Sequence, residues 1–158
     1  MRGAGPAVLM PLKGSGMTSI RDLCVEHREL EEQAAELLRV VQSAVPDSAA
    51  VAVLRWRMVQ KLSDHCARED RAIYERIVSS GDAAAIAIAW RYRQEHGQLA
   101  PNFSNYIAAW PVDRIAREWD AFRTATETVV MSLNSRIFLE ERVLYAHAER
   151  VALRRAAA

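Results

Sequence analysis

Two segments of this chain carry the same arrangement of ionisable side chains. His65-x-x-x-Glu69-Asp70-Arg71-x-x-Tyr74 returns as Arg136-x-x-x-Glu140-Glu141-Arg142-x-x-Tyr145, with arginine in the histidine's place. A Glu-His pair precedes each copy, Glu26-His27 before the first and Glu95-His96 before the second. The histidines lie 38 and 40 residues ahead of their motifs. Residues four apart on a helix stand one above the other, so each motif turns two polar groups to one side. Imidazole and carboxylate together suit iron, manganese or zinc, and a carboxylate kept from water without a cationic partner is costly. Arginine changes that chemistry. A guanidinium stays protonated and has no lone pair for a metal, but it can bridge Glu69 and Glu140 by charge-assisted hydrogen bonds.

These groups meet only if helices of matched length carry them to one level. Apolar residues recur three and four apart from Thr18 to Ser43, through Ile20, Leu23, Cys24, Leu30, Ala34, Leu37, Leu38 and Val41, with His27 on the same stripe. Thr18 or Ser19 can cap this helix, and Pro46 bars its continuation. A second helix is expected from Asp47 to Ser79, with His65 and Glu69 on the stripe of Val51, Leu54, Met58, Leu62, Ile73 and Ile77. The third, Ala83 to Trp110, takes its inward face from Ile86, Ala89, Arg93, His96, Ala100, Phe103 and Ile107. Pro101 should kink it near Gly97. The fourth carries Phe122, Thr126, Val129, Leu133, Arg136, Glu140, Leu144 and His147 and ends near Glu149.

Four amphipathic segments with short connections predict an all-α, up-down-up-down four-helix bundle over residues 17–150. At ~1.5 Å per residue the arms from His27 and His65 to their shared turn are both about 25 Å, and His96 joins the same layer. Arg136 and Glu140 reach it only if residues 111–118 form a connector or a separate short turn and the fourth helix begins near Trp119. An unbroken helix from Val112 would carry Arg136 roughly 15 Å past His96.

Taken as an ordered set, these motifs resemble the hemerythrin-like (HHE cation-binding) domain over about Met17 to Glu149. The resemblance implies a non-haem iron centre serving oxygen binding, oxygen or redox sensing, or iron handling. By motif position it makes His27, His65, Glu69, His96 and Glu140 the metal ligands. Arg136 stands at the helix-four histidine position, and Ala100 stands where a second helix-three histidine would be. A full di-iron centre is therefore not expected. Two readings remain: one metal, iron first, held by some of His27, His65, His96 and a glutamate, or a metal-free regulatory or interaction bundle in which Arg136 replaces the cation. Neither an open coordination position nor a substrate pocket is evident in the residues, so no catalytic residue is assigned and no enzyme activity is expected.

The remaining residues fit ordinary roles. Tyr74 and Tyr145, five residues past Glu69 and Glu140, fall too far round to ligate easily and are expected to pack at the bundle ends. Cys66 points about 100° from His65, and Asp70 and Glu141 are expected in solvent. His147 suits the last turn of its helix, as do Arg150, Arg154 and Arg155. Trp56 and Trp90, each flanked by arginine, read as surface indoles stacked by guanidinium or as one face of a homodimer. A net charge of +1 from 21 basic and 20 acidic residues gives no field for nucleic acid or an anionic membrane. No apolar run is long enough to span a bilayer. Residues 1–16, rich in Gly and Pro, read as a disordered leader, with Met17 as an alternative start, and residues 151–158 as a tail. Two cysteines, neither CxxC-spaced nor part of a disulfide framework, suggest a reducing cytoplasmic setting.

Overall fold

Helix formation begins where the sequence supplies caps. Ser19 Oγ accepts the Asp22 N–H at 3.1 Å and the Asp22 carboxylate accepts the Ser19 N–H at 2.9 Å, a reciprocal capping box. This starts α1, Ile20–Val41. Asp47 accepts the Ala50 N–H and opens α2, residues 48–79. Asp82 accepts the Ala84 and Ala85 N–H groups and opens α3, residues 83–109. Gly81 between α2 and α3 has φ +74°, a left-handed conformation that glycine tolerates. Two further helices follow, the short α4, Val112–Arg117, and α5, residues 119–156. The structure, a computed structural model, describes residues 18–157, without the side chains of His96 and Arg155. The expected leader, Met1 to Gly16, lies outside the described residues.

The helices form a ring: α1 packs on α2 and α5, and the second half of α3 packs on α2 and α5 from the opposite side. Short connections make neighbours antiparallel, so the expected up-down-up-down bundle is the observed one. The break before Trp119 is also present. Glu118, at φ −121° and ψ 46°, separates α4 from α5. The start of α5 then clasps the end of α1. Trp119 Nε1–H donates to the Ser43 carbonyl at 3.0 Å and Arg123 Nε–H to the Val41 carbonyl at 2.9 Å. Those bonds satisfy carbonyls that α1 leaves without helical partners and fix the height at which α5 enters the bundle.

Two apolar clusters fill the interior. The larger runs from Leu30, Leu37, Met58 and Leu62 through Phe103, Phe122 and Leu133. The smaller gathers Leu23, Ile73, Ile77, Tyr92, Leu144 and Tyr145 at the other end. Between them each of α1, α2 and α5 interrupts its apolar stripe with polar residues, and those interruptions share one level.

Three details depart from the expected pattern. On α3 the inward face keeps Ala89 and Phe103 of the expected stripe, but Ala85, Tyr92, Leu99 and Tyr106 are buried where the residue after each was expected. Arg93 lies outward at 46% exposure, paired with Asp70 at 3.2 Å. Alanines on every side of α3 blur its amphipathic contrast, and the two tyrosine rings, with more apolar surface to bury, set its rotation. Arg55 is buried, with its guanidinium 5.7 and 5.6 Å from the ring centres of Tyr106 and Phe122, and it donates to the Trp110 carbonyl at the end of α3. Helix α5 continues to Ala156, because nothing after Glu149 breaks a helix and Val151 is buried in the smaller cluster.

The kink in α3 falls as expected. Pro101 has no N–H to complete a helical bond with Gly97, and α3 is interrupted between His96 and Leu99. A β-carbon on Gly97 would overlap the Arg93 carbonyl oxygen, so this close approach requires glycine. Trp56 and Trp90 are exposed, at 66% and 52%. Among the described residues no helix is long and apolar enough to cross a membrane.

Candidate metal centre

His27 on α1 and His65 on α2 face each other across the polar layer, Nε2 to Nε2, at 3.0 Å. Glu140 Oε2 on α5 lies 3.1 Å from His27 Nε2. All three residues are buried, and their ligand atoms fall within 4.8 Å of one another. Each imidazole is held from behind. His27 Nδ1–H donates to Glu141 at 2.9 Å, and Glu141 is paired with Arg28 at 2.6 Å. His65 Nδ1–H donates to Glu26 at 2.9 Å, and Glu26 is paired with Arg68 at 3.0 Å. In the neutral form of each ring, with the proton on Nδ1, the Nε2 lone pair faces the layer, the tautomer that carboxylate–histidine–metal arrangements impose.

Arg136 occupies the adjoining half of the layer. Its Nε pairs with Glu140 Oε1, and its Nη2 lies 3.3 Å from Glu69 Oε2, with only 10% of its side chain exposed. Glu140 thus divides its oxygens between the guanidinium and His27. Glu69 sits on the guanidinium rather than in the His27–His65–Glu140 cluster, and its Oε1 is buried without a hydrogen bond of ordinary geometry. Burial raises the Glu69 pKa, the Glu140 charge raises it further and Arg136 only partly offsets both, so it is pushed up to about 8. For Glu140 burial acts the same way, but hydrogen bonds from His27 and Arg136 outweigh it and the pKa falls. Burial likewise opposes charge on His27, yet its bonds to Glu140 and Glu141 prevail and its pKa rises. His65, buried beside His27, falls.

Of the five ligands expected from the sequence, three converge: His27, His65 and Glu140. His96 closes the first segment of α3, and its side chain lies outside the described residues. Glu26 and Glu141 had no expected role in the layer. Their signal was adjacency, since each stands beside a ligand and braces the histidine of another helix. Cys66 is partly buried against the larger cluster, and burial pushes its thiol up to about 11.

Tyr145 also departs from expectation. It is 2% exposed, its hydroxyl is 3.3 Å from His27 Nε2 and its ring stacks on His27 at 5.5 Å and 7°. The cause is a π-turn, Glu140–Leu144, closed by the Tyr145 N–H on the Glu140 carbonyl. One turn there takes five residues, so the phenol returns to the face of Glu140. A matching π-turn, Asp70–Tyr74, lies in the first motif, and single π-turns are frequent at functional sites. There Tyr74 is buried beneath the Arg93 guanidinium, 5.1 Å from its ring centre.

An open groove between α3 and α5, bordered by Glu95, Gln98, Asn102, Thr128 and Ser132, reaches Arg136. The layer therefore combines two facing imidazoles, a shared carboxylate and an internal guanidinium, with a groove of mixed apolar and polar lining reaching the guanidinium from one side. No curated protein and no solved structure matches this chain significantly. The hemerythrin HHE cation-binding domain matches residues 18–148, nearly the whole bundle, and the chain belongs to that family.

Proposed function

We propose that this protein holds one metal cation, iron first, between His27, His65 and Glu140, and that Arg136 takes the place and charge of a second. The approach of the two Nε2 atoms carries the reading. With both Nδ1 protons committed to carboxylates, the two Nε2 atoms meet at 3.0 Å with Glu140 Oε2 3.1 Å from His27, an approach that a metal cation, or a proton on His27 Nε2, must bridge. The donors fit one. At a metal–nitrogen distance of about 2.1 Å, neighbouring ligand atoms stand about 3.0 Å apart in octahedral and about 3.4 Å in tetrahedral coordination. The separations from His27 Nε2 are 3.0 and 3.1 Å, and the three ligand atoms lie within 4.8 Å of one another, so His65 and Glu140 would stand on opposite sides of an ion beside His27. Two histidines and one carboxylate are a set used by non-haem iron(II).

A bound metal would supply a Lewis-acid and redox centre. The chain's own residues orient both imidazoles through Glu26 and Glu141, keep Glu140 ionised beside Arg136 and seal the layer between two apolar clusters. Arg136 already answers the charge of Glu140 and lies on Glu69, so the layer suits one metal ion better than two. The role that follows is a binding one, iron handling or oxygen and redox sensing, rather than catalysis.

The second reading is a metal-free regulatory bundle. It is favoured by the pairing of Arg136 with both carboxylates, with a proton on His27 completing the balance. Titration of chelator-treated protein with iron(II) and zinc(II), checked by elemental analysis, separates the two. The metal reading expects one ion per wild-type chain and a second in Arg136→His. No uptake by either protein would sink it and leave the metal-free bundle.

A further inference from the structure

Three atoms surround His27 Nε2: His65 Nε2 at 3.0 Å, Glu140 Oε2 at 3.1 Å and the Tyr145 hydroxyl at 3.3 Å. The third separation lies in the same range as the first two, between the octahedral and tetrahedral edge lengths of about 3.0 and 3.4 Å. The ring is fixed where it stands, 2% exposed and stacked on the imidazole. Packing alone would require only a ring. The chain instead places an oxygen between His27 Nε2 and Glu69, among the metal donors, and turns the backbone through a π-turn to do so.

We propose that Tyr145 is a fourth ligand of the cation held by His27, His65 and Glu140, giving a site that prefers iron(III). This rests on the metal reading above. Ligation is a substitution without electron transfer: the phenol O–H bond is exchanged for an O–iron bond, and the proton leaves to the buffer. Two anionic oxygens, from Glu140 and Tyr145, then face the metal with two neutral nitrogens, a donor charge that favours a trivalent over a divalent ion. Tyrosine oxygen is an established ligand to iron in proteins, as in catalase. Tyr74, at the same place in the first motif, lies against Arg93 instead, so the two halves of the duplication have diverged.

The test loads full-length protein with one equivalent of iron(III) as its nitrilotriacetate complex. Wild type should gain a visible tyrosinate-to-iron(III) charge-transfer band, with resonance-enhanced phenolate modes that shift when the protein is made with ring-deuterated tyrosine. Tyr145→Phe should retain one iron by elemental analysis and lose the band, whereas Tyr74→Phe should keep both. Iron bound by wild type without the band, or a band that survives in Tyr145→Phe, overturns the ligand assignment and leaves the metal reading standing. Absence of iron in wild type overturns both. If Tyr145→Phe does not fold, Tyr74→Phe, Tyr92→Phe and Tyr106→Phe take its place. A deuterium-sensitive band present in all three identifies Tyr145, and its loss in any one of them refutes the proposal.

Discussion

Arg136 is expensive to bury and expensive to remove. Its guanidinium answers two carboxylates that are almost without solvent, and truncating one member of such a set strands the others' charge. Arg136→Leu should therefore lose about 3–5 kcal/mol in urea denaturation with chelator present. Because a cation can take the vacated place, added zinc(II) should recover more stability in this variant than in wild type; equal recovery would argue against interchange of guanidinium and metal. Glu69 makes a separate prediction about pH. Its carboxyl is raised from 4.5 to about 8 in the folded protein, so between those values the native state binds more protons than the unfolded chain. That contribution is fully present below about pH 4.5 and is lost as pH rises through 8. Glu140 and Glu141 have the opposite sign. Their depressed values contribute stability above the ordinary carboxylate range that is lost as pH falls through the folded values. Chelator-treated protein should therefore weaken from mildly acidic to mildly alkaline pH, and Glu69→Gln should flatten that decline. An unchanged slope in the variant would assign the decline to another group.

The helices matter for where they are irregular. The two π-turns, Asp70–Tyr74 and Glu140–Leu144, advance the chain by an extra residue within each repeated motif. They preserve the apolar stripe on either side while changing which polar residue faces inward. The break in α3 is set by Pro101 and made possible by Gly97, whose missing β-carbon leaves room for the Arg93 carbonyl. Gly97→Ala must push that backbone aside, at a cost of about 1–3 kcal/mol, although alanine is the better helix former. Thermal unfolding of the variant measures it; a gain in stability would mean that the turn relaxes freely. The break at Glu118 acts at longer range, since an α5 beginning at Val112 would carry Arg136 out of the layer.

Across the whole molecule, the polar layer is a seam between two apolar clusters. Metal bound at His27, His65 and Glu140 would tie α1, α2 and α5 together at that seam. A ligand that binds only the folded chain adds about 2.7 kcal/mol at a free concentration one hundred times its dissociation constant. For a chain of this length that corresponds to roughly 5–10 °C in Tm. Iron(II) under argon or zinc(II) should produce such a rise, reversed by chelator, and a Tm indifferent to both would favour the metal-free bundle.

The four long helices, the height of the layer, the break before Trp119 and the kink at Gly97 were legible in the sequence, whereas the short α4 was expected only as a connector or turn. Each follows from local rules: apolar spacing, the missing N–H of proline, and a fixed rise per residue. The convergence of His27, His65 and Glu140 was legible as well, because regular arms carry them to one level. What the chain alone did not disclose were Glu26 and Glu141 behind the histidines, the rotation of α3 toward Tyr92, and Tyr145 beside His27. Each of those depends on how much one helix turns against another, or on a single added residue in a turn. Spacing along one helix specifies a face, but the pairing of a side chain with a partner 39 or 114 residues away is decided only when the faces pack.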